Sequence, residues 1–118
     1  MYTAKNYEHL LGTAGFSDAL LKNHFTLYEG YVKNTNTLVE TLRSEKHAAG
    51  TAEFNELTRR FGWEWNGMRL HELYFGNMHK GGVPMSEDGE LKKVMNHLWK
   101  DVEGWKKDFV AVGGMRGI

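Results

Sequence analysis

Between Leu21 and Leu42 the apolar positions follow the rhythm of a helix lying along a neighbour. Leu21, His24, Tyr28, Tyr31, Thr35, Leu38 and Leu42 succeed one another at steps of 3, 4, 3, 4, 3 and 4 residues, which keeps them on one face. The polar and small residues of "SEKHAAGTA", with Gly50, interrupt the pattern. A second stripe then runs Phe54, Leu57, Phe61, Trp65, Met68, His71, Phe75 and Met78, at steps of 3, 4, 4, 3, 3, 4 and 3. Two long helices with a short connection predict an antiparallel hairpin. Glu64 and Glu72 flank the second stripe, and by helical phase they are expected to point away from it.

Outside the stripes the chain is punctuated. Residues 1–16 read as an irregular arm, and in "GTAGFSD" either Ser17 or Asp18 can cap the first helix. "HKGGVPMSEDG" reads as a loop holding the single proline, Pro84. Asp88 is the expected cap of a third helix carrying Leu91, Val94, Met95, Leu98 and Trp99. Asp101 is the expected cap of a fourth, with Val102, Trp105, Phe109 and Val112 on one side. No repeat and no strong strand pattern appears. The predicted fold class is all-α: a long antiparallel helical hairpin followed by two shorter helices. The predicted division is a helical domain over residues 1–112 and a linker over 113–118.

Composition narrows the function classes. With 15 basic and 15 acidic residues the chain has no electrostatic footprint for nucleic acid or an anionic membrane. The absence of cysteine removes disulfides and thiolate metal sites. No segment has the roughly 18 continuous apolar residues of a membrane span, and the N-terminus lacks the pattern of a secretory signal. A cytoplasmic protein is expected.

Each stripe contains one histidine. His24 lies 18 residues before Leu42, and His71 lies 19 residues after Ala52. At about 1.5 Å per residue the offsets from the turn are about 27 and about 28 Å. The two imidazoles of an antiparallel hairpin should therefore face each other at one level. Spacing alone leaves two alternatives open: hydrogen-bonded core histidines, or two ligands of an unnamed metal such as Fe, Mn, Zn, Cu or Ni. Two imidazoles do not complete a usual site. His9, His47, His79 and His97 are expected at the surface, and most Trp and Tyr residues in the core. Tyr31, two turns beyond His24, brings a hydroxyl that needs a partner if buried.

"NHFTLYEGYVKNTN", followed by "FGWEWNGMRLHELYFGNM" and "GG", resembles the N-terminal half of iron/manganese superoxide dismutases. "LWKDVEGWKKDFVAVGGMRGI" is similar to that family's next two helices and the entry to its second domain. The resemblance implies that His24 and His71 are metal ligands and that Tyr31 is the gateway tyrosine. It implies positions beside the channel or behind the ligands for Tyr28, Gly67, Tyr74 and Phe75. Tyr28 falls near a second gateway position that is usually histidine, Gly67 where many iron enzymes have glutamine, and Phe75 where tryptophan is frequent.

In the family an aspartate and a third histidine complete the site from an α/β C-terminal domain, which this sequence stops short of. The resemblance therefore implies one Fe or Mn ion, superoxide as substrate, and a C-terminal superoxide dismutase-like half or a homo-oligomer as partner, with little activity from the chain alone. A catalytically silent structural subunit of a larger complex, and a helical protein using His24 and His71 for another metal across a homodimer, are the alternatives.

Overall fold

A computed structural model describes residues 1–44 and 46–116. Their contacts divide the chain into two units, Met1–Gly82 and Val83–Ile118. The expected linker 113–118 reaches into residues 117 and 118, which lie outside the described residues.

The first unit is built on α1 (Asp18–Arg43) and α2 (Ala52–Gly76). Ser17 caps α1 by accepting from the Leu20 N–H. Asp18 accepts instead from the Gly12 N–H, at 2.7 Å, and so ties the arm to the helix start. Thr51 caps α2 through the Phe54 N–H. The helices run antiparallel: His24 faces His71, Tyr28 meets Glu72, and Asn34 meets Glu64.

The arm is irregular apart from one turn, yet it packs against the hairpin. Tyr7 and Leu10 are buried, and a short 3-10 turn spans Glu8–Leu10. They join Leu21, Phe25, Tyr28, Val32, Met68 and Phe75 in one core. The Tyr2 backbone exchanges two 2.8 Å hydrogen bonds with the Asn36 side chain. Covering this side of α1 turns the core stripe by one residue. Phe25 and Val32 are buried, while His24 and Tyr31 are left half-buried at its edge.

Along α2 and the residues just after it the packed stripe is more regular than expected. It runs Phe54, Leu57, Phe61, Glu64, Met68, His71, Phe75 and Met78, alternating steps of 3 and 4, all buried or half-buried. Glu64 takes the place assigned to Trp65, which instead donates its indole N–H to the Tyr2 hydroxyl at 3.3 Å. The outward expectation for Glu64 and Glu72 is thus overturned. Glu64 is only 2% exposed, and accepts from Asn34 Nδ2 at 3.2 Å and Arg60 Nε at 2.7 Å. Removing a carboxylate from water requires such partners, and here α1 supplies one of them. The expectation of core tryptophans also fails for Trp63, which is 62% exposed because helical phase puts it beside the stripe.

The second unit holds α3 (Glu90–Trp99) and α4 (Val102–Gly113). Asp101 caps α4 through the Gly104 N–H at 2.7 Å. Asp88 does not cap α3: the helix begins at Glu90, so the cap position falls on Gly89. Of the expected apolar side of α3, Met95 is buried, whereas Leu91, Val94 and Leu98 are exposed. No helix among the described residues is long and apolar enough to cross a membrane.

Candidate metal centre

α1 and α2 bring the two stripe histidines together. The His24 and His71 rings lie 4.8 Å apart, edge to face, and both border a shallow pocket of about 280 Å³ that Leu70 and Tyr74 complete. Behind them stands Phe75, 1% exposed, with its ring 4.9 Å from His24 and 6.0 Å from His71. Tyr74 is partly exposed and lies 5.2 Å from His24.

Hydrogen-bond geometry at His71 and burial at His24 bear on which ring nitrogens can donate an electron pair. His71 Nδ1 is 2.6 Å from the Gly67 carbonyl one turn earlier. A carbonyl only accepts, so Nδ1 carries the proton, and in the neutral ring Nε2 is left as donor. Burial, and then the neighbouring His71, hold the His24 imidazole below the ordinary histidine range.

Tyr31 sits 5.2 Å from His71, over the α2 backbone at Gly67. It also lines a second hollow of about 520 Å³ with Asn34, Arg60 and Trp63. A Cβ at Gly67 would come within 2.5 Å of the Tyr31 ring, whereas one at Gly62 would meet nothing within 4 Å. Gly67→Ala is therefore expected to destabilise by about 1–2 kcal/mol, an overpacking cost that outweighs its helix-propensity gain. Gly62→Ala is expected to stabilise by about 0.5–1 kcal/mol. Urea unfolding of the two variants checks both signs.

Tyr28 is turned away from the pocket. It is 1% exposed, and its hydroxyl donates to Glu72 Oε1 at 3.2 Å and accepts from the Lys5 N–H at 3.0 Å. Burial above all pushes its pKa up, as it does that of Tyr7. Native phenols then keep protons that the unfolded chain releases above pH of about 10, so stability should fall as pH rises past that point. Thermal melts at pH 9 and 11 measure the loss, and Tyr28→Phe should flatten it.

Of the other histidines, His9, His79 and His97 are exposed and His47 is half-buried. Sequence reasoning missed Glu64 and Glu72. The signal that could have found Glu64 was the unbroken alternation of 3 and 4 through it; Glu72 lies off that stripe and is marked only by its remote partners Tyr28 and Lys5.

The chain is 34% identical over 105 residues to an iron superoxide dismutase of Cupriavidus metallidurans, a match covering 87% of this chain and 52% of that protein. It is 31% identical over 91 residues to an iron superoxide dismutase of Aquifex aeolicus, covering 71% of this chain and 43% of the relative. A mitochondrial manganese superoxide dismutase of Glossina morsitans morsitans is 27% identical over 101 residues, covering 85% and 46%.

The chain belongs to the iron/manganese superoxide dismutase family.

It corresponds to the N-terminal helical part and spans about half the length of the curated relatives it matches. No family model and no solved structure matches it. Two imidazoles facing one pocket fit two nitrogen positions of the iron or manganese that the superoxide dismutase family carries. They do not complete a set: among the described residues no group of three or more His, Cys, Asp or Glu side chains could hold a metal ion.

Proposed function

We propose that this chain is the N-terminal half of an iron or manganese superoxide dismutase centre, with His24 and His71 as two of its protein ligands. An aspartate and a third histidine from a C-terminal half complete the site. The completed protein converts two superoxide anions and two protons into dioxygen and hydrogen peroxide. The observation that carries the reading is the placing of two imidazoles 4.8 Å apart on facing helices beside one pocket.

The metal, when bound, supplies the one-electron acceptor and donor for the two superoxide molecules. The residues of this chain do the rest. His24 and His71 each donate a ring nitrogen, and the Gly67 carbonyl holds the proton of His71 on Nδ1. Phe75 keeps water from the back of both rings, and Tyr31 holds a hydroxyl proton on the ring next to His71. Tyr74, partly exposed next to His24, borders the approach to the pocket.

Co-expression with a C-terminal half bearing the aspartate and histidine tests the reading. The expected product is a complex with bound iron or manganese that dismutates superoxide. A well-formed complex free of both metals, or one whose activity is unchanged by His24→Ala and His71→Ala, would refute it.

A further inference from the structure

The two imidazoles touch edge to face and share no hydrogen bond that would fix their separation. Their spacing must therefore come from whatever holds α1 and α2 apart at that level. Apolar contacts are non-directional and permit small slides. A ligand pair needs its nitrogens held to within about 0.5 Å.

A directional contact lies at the right level. The Tyr28 hydroxyl donates to Glu72 Oε1 at 3.2 Å across the helix pair. Tyr28 is one turn after His24, and Glu72 is the residue after His71. The Tyr28 ring also lies nearly parallel to the His71 imidazole, at 6.3 Å and 25°. The other side-chain hydrogen bond between α1 and α2, Asn34 to Glu64, is about two turns away.

The contact is built rather than incidental. The Glu72 side chain is only 8% exposed, and its Oε2 takes Lys5 Nζ at 3.3 Å and the Arg69 guanidinium. Lys5 also donates its backbone N–H to the Tyr28 hydroxyl. The N-terminal arm thus closes over the same bond, and leaving either group buried without its partner would be costly.

We propose that Tyr28 and Glu72 are positioning residues for the His24–His71 pair. Their part-buried hydroxyl–carboxylate bond sets the helix separation at which both imidazoles face one metal ion. The proposal rests on the metal reading above, and it gives Tyr28 a different task from a group lining the channel.

The test uses the 118-residue chain with Ni(II) as probe, followed by calorimetry, together with the NMR cross-relaxation between the His24 and His71 rings in the metal-free state. Tyr28→Phe and Glu72→Ala should each weaken Ni(II) binding about tenfold or more, as loss of an outer partner does, and should weaken the ring-to-ring signal while the circular dichroism stays helical. Glu72→Gln keeps an acceptor for Tyr28 and should remain within about threefold of the parent, on the same outer-partner scale. Leu57→Ala, a packing change far from the pair, should lower the melting temperature and leave Ni(II) affinity alone. Parent-like affinity and an unchanged ring signal in both Tyr28→Phe and Glu72→Ala would overturn the proposal. If His24→Ala and His71→Ala bind Ni(II) as the parent does, the metal reading fails. The ring signal then decides the positioning role alone: its loss supports the cross-brace, its persistence refutes it.

Discussion

His71→Ala, in the chain completed by a C-terminal half, is expected to strip the protein of iron and manganese while leaving the hairpin folded. The loss should exceed the ~10–100-fold that removing an outer-shell partner costs, because a donor nitrogen itself is gone. Superoxide dismutation should disappear with the metal. Stability should change far less, since the ring is half-buried at the edge of the core and its one hydrogen bond goes to the carbonyl of its own helix, at Gly67. His24→Ala should act in the same direction. Metal content by elemental analysis, read beside circular dichroism, separates a lost ligand from a lost fold. A half-buried imidazole that served only packing would show the reverse: metal retained and a lower melting temperature.

Phe75→Ala is expected to do the opposite kind of damage. Its ring packs against those of Tyr7, Phe25, Tyr28 and Tyr74 as well as both histidines. Truncation should cost about 3–5 kcal/mol, the range for a buried aromatic in a close-packed core. Domains of this size hold about 5–15 kcal/mol in total, so the urea midpoint should fall by about a fifth or more. The two imidazoles lose the surface they lean on, so metal retention should decline even at temperatures where the variant is folded. Equilibrium urea unfolding with a parallel metal assay checks both parts.

Much of the hairpin was legible because its chemistry is local and periodic. The recurrence of apolar residues at steps of 3 and 4 marked both long helices, and counting from the turn put His24 and His71 at one level. The parts that were not legible depend on partners remote in sequence. Glu64 reads as a surface charge until Asn34, 30 residues earlier, is seen to meet it. Glu72 reads the same way until Tyr28 and Lys5 close over it. The arm had no period to reveal it, yet Leu10 is 0% exposed and turns the core stripe of α1 toward Phe25. That turn is also why His24 and Tyr31 stand at the edge of the core, beside a pocket, rather than inside it. Asp88 shows the limit at a helix end, where a shift of one residue moves the cap to Gly89.

The most direct measurement is a histidine-labelled NMR titration of the chain with substoichiometric Mn(II). The chain has six histidines, so each ring reports its own distance from the ion. The ring signals of His24 and His71 should broaden first and together, while those of His9, His47, His79 and His97 stay sharp. Broadening that begins at any of those four, with His24 and His71 unaffected, would contradict the assignment of the metal to the facing pair.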